Sequence, residues 1–109
     1  GPMTRLFVRH GSAILPLPVA SIAWFEADGD YVVAQRETGR HWVHLSLNRL
    51  ASRLGPAQFG RIHRTHIVNL DYVVAFRRHG RSGMTAEMRG GVQLAVSRQR
   101  AAALRTLGV

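Results

Sequence analysis

The stretch Ile22-Ala23-Trp24-Phe25-Glu26-Ala27-Asp28-Gly29-Asp30-Tyr31-Val32-Val33-Ala34-Gln35-Arg36 holds two runs of aromatic and β-branched residues that meet across Asp28-Gly29-Asp30. Glycine accepts a positive φ at little cost, so an Asp-Gly pair between two such runs predicts a β-hairpin, with strands at 22–27 and 31–36. Thr38-Gly39 turns the chain again into 41–45, which makes three strands in meander order. Upstream, 6–10 and 13–17 flank Gly11-Ser12 as a second hairpin; Pro16 and Pro18 then break the strand, and a short turn follows at 19–21. Downstream, 72–77, 83–88 and 92–96 read as three further strands, with Arg89-Gly90-Gly91 turning between the last two.

Two helices interrupt this pattern. Ser46 caps the first, Leu47, Leu50 and Leu54 form its apolar stripe, and Gly55-Pro56 stops it. Arg49 and Arg53 fall on its outer side. Ser97 caps a second short helix that runs through Leu107, with Gly108 at its end. Seven or eight short strands with two helices predict a mostly β domain, and Trp24, Phe25, Phe59 and Phe76 belong in its core by their apolar neighbours.

A chain of 109 residues suits one domain. Gly1-Pro2 reads as a scar of tag removal, which leaves 3–109 as a single domain cut from a longer protein. No apolar run approaches the ~20 residues that span a bilayer, and no signal-peptide pattern is present, so this domain is expected to make no membrane contact. The absence of cysteine removes disulfides, thiolate metal sites and a cysteine nucleophile, and fits a reducing cytoplasm.

Charge is the strongest global signal. Fifteen arginines, no lysine and six acids give a net charge of +9. An excess of this size favours a polyanionic partner, with nucleic acid ahead of an anionic membrane. Base composition of a GC-rich genome explains arginine over lysine but not the surplus over acids. Catalysis has no comparable support. His41/His44 and His63/His66 are each three apart, which on a strand points the two side chains to opposite faces. There is no HExxH, no G-x-S-x-G, no phosphate-binding glycine loop, and too few carboxylates for a metal site or an acid–base pair. Neither an enzyme, a cofactor nor a metal is expected.

The densest basic segment is Arg61-Ile62-His63-Arg64-Thr65-His66-Ile67-Val68-Asn69. Ile62 and Val68 share their parity with Arg64 and His66, so it reads as an irregular, partly buried ribbon or loop rather than a regular strand. Guanidinium, hydroxyl and amide groups suit phosphate oxygens and base edges, and arginine can take the O6/N7 pair of guanine bidentately. From these residues alone a basic β-domain binding RNA or single strands, or a protein-interaction module, remains open.

The string Phe59 to Asn69, F-x-R-I-H-R-T-H-I-V-N, resembles the central signature of the LytTR DNA-binding domain, F-x-R-x-H-R-S-aromatic-hydrophobic-V-N. Trp24 to Val32 resembles that family's hydrophobic-E-A-x-G-N-Y-V hairpin, Leu45-Ser46-Leu47 with Leu50 and Leu54 its first helix, and Leu94-Ala95-Val96-Ser97-Arg98 its closing L-P-V-S-R. The matches keep their order over roughly residues 6 to 107. The resemblance implies an elongated domain of stacked small antiparallel sheets with two short peripheral helices. It implies sequence-specific binding of double-stranded DNA, as the output domain of a bacterial transcription regulator that reads major grooves with loops between strands. Such regulators include response regulators of two-component systems; whether a receiver, a membrane sensor or another module accompanies this domain stays open.

The same resemblance places DNA contacts near Tyr31, on Arg64 and on Arg98. Thr65, His66, Arg61, His63 and Asn69 complete the candidate set from the central segment. Two of these have a competing structural role: His63 as a hydrogen-bonded core histidine and Asn69 as a brace for a turn. Arg98 falls in the first turn of a helix, where the macrodipole disfavours a cation unless phosphate is near. Arg77, Arg78, His79 and Arg81 form a basic turn that suits phosphate or solvent equally. Thr65, His66, Ala95 and Asp30 depart from the family pattern, and Asp30, an acid, suits a turn cap better than a phosphate neighbour. Domains of this kind recognise paired repeats, so two copies on DNA would sit about one helical turn (~10 bp) or a multiple apart, with self-association on the DNA open to them.

Overall fold

The computed structural model describes residues 1–106. Among the described residues ten strands form three antiparallel sheets, joined by two short helices, in an elongated body of 49 × 29 × 24 Å. Strands β1 (Arg5–His10) and β2 (Ala13–Pro18) make a two-stranded ribbon. A 3-10 turn (Val19–Ser21) leads into the central sheet, built from β3 (Ile22–Asp28), β4 (Tyr31–Arg36), β5 (Gly39–Val43), β6 (Phe59–His63) and β7 (His66–Asn69) in the order β5-β4-β3-β7-β6. Helix α1 (Leu47–Arg53) lies between β5 and β6. A second 3-10 turn (Leu70–Tyr72) precedes β8 (Val73–His79), β9 (Gly83–Met88) and β10 (Gln93–Ala95), which form the third sheet, and α2 (Arg98–Leu104) follows.

The central sheet is covered on both faces. On one, Phe25, Val32, Ala34, Val43, Phe59 and Ile67 meet Leu6, Val8 and Leu17 of the ribbon and Leu47, Leu50 and Leu54 at α1. On the other, Trp24, Ile62 and Val68 meet Met84, Ala86, Met88, Phe76 and Leu94 of the third sheet and Ala101 of α2. Both helices start as their sequences require. The Ser46 hydroxyl accepts from Arg49 N at 3.1 Å, and that of Ser97 from Arg100 N at 3.3 Å, which satisfies one of the free amides at each helix start. In the β3–β4 hairpin Asp28 pairs with Tyr31, leaving Gly29-Asp30 as a two-residue turn. Gly29 takes φ +60°, the value a hairpin turn with glycine first demands.

Four details differ from the sequence reading. Pro16 does not break β2 but lies within it, and the strand ends at Pro18; a ribbon strand with an unpaired edge tolerates proline because the missing N–H can face outward. Tyr72 belongs to a 3-10 turn rather than to a strand. Asp30 is exposed and makes no side-chain hydrogen bond among the described residues, so it does not cap its turn. The segment read as an irregular ribbon is a true hairpin, β6–β7, and brings the strand number to ten. Its irregularity is a bulge between Arg61 and His63. The expected helix end at Leu107 and Gly108 lies outside the described residues; α2 is helical to Leu104.

Asn69 is the one fully buried polar side chain among the described residues. Its amide donates to the carbonyls of Ile22 (2.9 Å) and Ala20 (3.3 Å), and its Oδ1 accepts from Asp71 N at 3.0 Å. It thus ties the end of β7 to the entry of β3 and starts the second 3-10 turn. Asn69→Ala strands these buried groups without partners and should lower the unfolding free energy by about 2–3 kcal/mol. Denaturant titration should show a lower midpoint with an unchanged slope; an unmoved midpoint would contradict the brace.

Candidate nucleic-acid interface

Four element ends meet at one end of the central sheet. Glu26 pairs with His66, so the β3–β4 turn at Gly29-Asp30 and the β6–β7 turn at Arg64-Thr65 lie side by side, tied by a bond from Ala27 N to Thr65 O of 2.9 Å. The connection from β5 into α1 brings His44, Ser46 and Asn48 to the same place. Ser97 N donates to Ile62 O at 2.8 Å and sets the first turn of α2 beside β6. Two open depressions result, of about 430 and 480 Å³, and they share Asn48, Arg61 and Arg64. Tyr31, His44 and Asp30 line the first; His63, Ser97, Gln99 and Arg100 line the second. Arg64 stands on the ridge between them.

The candidates divide by what their side chains already hold. Arg64 and Arg98 are exposed, and so is Tyr31, whose ring meets His44 edge-on at 6.1 Å. Ion pairs among the described residues join Arg77 to Glu87 and Arg89 to Glu37, His66 Nε2 lies 3.7 Å from Glu26, and none of these contacts engages Arg64, Arg98 or Arg100. Uncompensated guanidinium groups at one end are therefore free to face an anion.

Arg61, by contrast, is turned into its own hairpin. Its Nε donates to His63 O (3.0 Å), one terminal nitrogen to Arg64 O (2.7 Å) and the other to Asn48 Oδ1 (3.0 Å). Partial burial and the nearby Arg100 push its pKa down, yet a guanidinium stays protonated throughout the physiological range. Its role in this structure is to hold the carbonyls of the turn that displays Arg64. The Thr65 hydroxyl lies between His63 Nδ1 and His66 Nδ1, 2.8 Å from each, and all three side chains are half-buried. Asn69 is inside the fold as described. The structure thus brings Arg64, Arg98 and Tyr31 to the surface and turns Arg61, His63, Thr65 and His66 toward one another.

Asn48, Gln99, Arg100 and His44 complete the depressions and were absent from the sequence candidates. Asn48, Gln99 and Arg100 each sit in the first turn after a serine cap, the one signal that could have marked them. The basic turn at Arg77 to Arg81 is partly neutralised: Arg77 Nε donates to Glu87 at 2.8 Å, a bond that raises the pKa of the arginine and lowers that of the glutamate. Among the described residues no three His, Asp or Glu side chains gather where they could hold a metal ion.

A family model of the LytTr DNA-binding domain matches residues 12–108. The chain belongs to the LytTR family. Its fold is that of a solved LytTr DNA-binding domain from Bacillus cereus, with a TM-score of 0.88 over 98% of this chain and 99% of that one at 23% identity. The heme-containing CO-sensing transcriptional regulator RcoM 2 of Paraburkholderia xenovorans is 33% identical over 107 residues, 94% of this chain and 40% of that protein. The CO-responsive transcriptional regulator RcoM of Rhodospirillum rubrum is 40% identical over 65 residues, 60% of this chain and 28% of that protein. The chain therefore spans well under half the length of these curated relatives. LytTR domains are DNA-binding output domains of transcription regulators, and this chain carries one.

Arg61→Ala should free the carbonyls of His63 and Arg64 and loosen the turn. We expect a loss of about 1 kcal/mol in stability, modest because the bonds are partly solvated. Amide exchange at Arg64 and Thr65 should rise more than in the rest of the sheet; uniform protection across β6–β7 would show that Arg61 does not brace the turn.

Proposed function

We propose that this LytTR domain binds double-stranded DNA sequence-specifically in the cytoplasm. In this reading Arg64 and Arg98 reach base edges in the major groove, and Arg100, Asn48 and Gln99 contact phosphates. One observation carries it: Arg64 stands exposed on a two-residue turn, with no acidic partner among the described residues, between two depressions whose rims are the starts of α1 and α2. A turn of that width enters a major groove without a recognition helix, while the flanking helix starts meet the backbone on either side. Tyr31, on the neighbouring turn, would pack against sugar or base. The +9 charge supports attraction to the duplex irrespective of sequence.

A domain of this size covers one half-site, so a full site would be a pair of repeats about one helical turn (~10 bp) or a multiple apart, with two copies associating on the DNA. The relatives are transcription regulators of greater length. By analogy the present domain, residues 3–109, serves as the output module of a longer regulator, of which a two-component response regulator is one form.

Selection of bound duplexes from a random library tests the reading directly, since it yields both the half-site and the spacing. On the selected site Arg64→Ala should cost about 1–3 kcal/mol and relax preference at one or two base pairs. An unaltered preference would remove Arg64 from the reading. Arg100→Ala should instead weaken all duplexes alike and reduce the salt slope by about 1. Single strands of equal length that outcompete the duplex would overturn the proposal as a whole.

A further inference from the structure

The β6–β7 turn is closed by side chains as well as by its ladder. His63 Nδ1 lies 3.3 Å from the amide nitrogen of Thr65 and 2.8 Å from its hydroxyl, and that hydroxyl lies 2.8 Å from His66 Nδ1. The contact from the Thr65 amide sets one direction, and the others are argued from it. An amide N–H only donates, so His63 Nδ1 carries a lone pair and the ring proton sits on Nε2. The hydroxyl has one proton, which must also point at that lone pair, because two lone pairs 2.8 Å apart would repel. Its oxygen then accepts from His66, whose proton is therefore on Nδ1. His66 Nε2 is left facing the Glu26 carboxylate at 3.7 Å, and the other Glu26 oxygen accepts from the Trp24 indole at 3.2 Å. The donor chain runs His66 to Thr65 to His63, and Arg64 is the residue it encloses.

We propose that His63 and His66, acting through Thr65, are positioning residues for Arg64, and that this lock holds only while Nδ1 of His63 is unprotonated. The inference rests on Arg64 being the reading residue. The charged groups around the two imidazoles are Glu26 on β3, Arg61 on β6, Arg64 in the turn and Arg100 on α2. Burial holds His66 below the ordinary histidine range; Glu26 opposes that effect and His63 adds to it. At neutral pH His66 is thus the neutral donor that the chain requires.

Acid should act on two quantities in opposite directions. A proton on His63 Nδ1 turns the acceptor into a donor aimed at the Thr65 N–H, and the turn loses its closure. The same proton adds positive charge beside the duplex, which sustains or strengthens binding to any sequence. Discrimination between sites should fall on acidification while non-specific affinity does not. A charge effect without a lock would not produce that split.

The test is equilibrium binding of the domain to its selected duplex and to an unrelated duplex of equal length. Ionic strength is fixed, pH is varied from about 7.5 to about 5.5, and folding is monitored at each pH by circular dichroism. For the wild type the affinity ratio should fall roughly three- to tenfold, the value of one hydrogen bond. His63→Asn places an untitratable carbonyl oxygen near the Nδ1 position and should keep its discrimination at both ends of the range. His63→Phe should discriminate poorly at both. A wild-type ratio independent of pH, or a His63→Asn that behaves like His63→Phe, overturns the proposal; should His63→Phe fail to fold, the wild-type pH series and His63→Asn decide alone. Arg64→Ala separates the two readings. If it leaves discrimination intact, the role of Arg64 fails and the lock with it; if it removes discrimination while folded His63→Phe retains it, only the lock fails.

Discussion

The central sheet must be buried on both faces, and most of the molecule follows from that requirement. A single five-stranded sheet with apolar residues on two sides needs two separate covers. Here the β1–β2 ribbon with α1 supplies one, and the third sheet with α2 the other. Consecutive residues of β7 show the demand most plainly: Ile67 enters the first core and Val68 the second. Trp24 and Phe25 divide in the same way on β3. Three stacked layers of short strands give the long body.

One end of the central sheet is where like charges collect, and the fold tolerates them unequally. Arg61 neighbours Arg64 and Arg100, an arrangement that costs free energy in water and more under partial burial. The cost is offset for Arg61 by three acceptors, two of them backbone carbonyls. Arg64 has no such compensation among the described residues. An exposed cation on a turn held in place by a second cation is a poor arrangement for stability alone and a suitable one for meeting a polyanion.

The fold was legible in the sequence wherever one rule acted alone. The Asp28-Gly29-Asp30 hairpin and the two serine caps depend on local chemistry, and each is where that chemistry requires. Strands β6 and β7 were not legible as strands, for two physical reasons. Burial on both faces erases the period-two alternation by which a half-exposed strand is recognised, and the bulge at Arg61/His63 shifts what alternation remains. The site shows the same division. Exposure of Arg98 follows from its place in a first helical turn, which the serine cap marks; Arg64 was read only within an irregular ribbon or loop, and its place on a two-residue turn comes from the β6–β7 pairing. The inward role of Arg61 depends on which carbonyls the turn presents to it, and the presence of Asn48 and Arg100 depends on where two helices dock. Neither is a property of a segment.

The departures from the family pattern acquire a physical meaning in this geometry. Threonine in place of serine keeps the hydroxyl that the turn uses and adds a methyl group that restricts χ1, which favours a fixed direction for that hydroxyl. Histidine in place of the usual aromatic keeps a flat ring in the half-buried position and adds a nitrogen that the hydroxyl can accept from. The two changes therefore support each other. A serine with a phenyl ring at the second position could still donate to His63, but its oxygen would lack the second partner that orients it. Asp30 is different: it is exposed, unpaired among the described residues, and adjacent to Tyr31 on the other turn, where its charge would oppose an anion. An acid so placed offsets positive charge on that side, and the guanidinium charge at this end is left concentrated at Arg64 and Arg100.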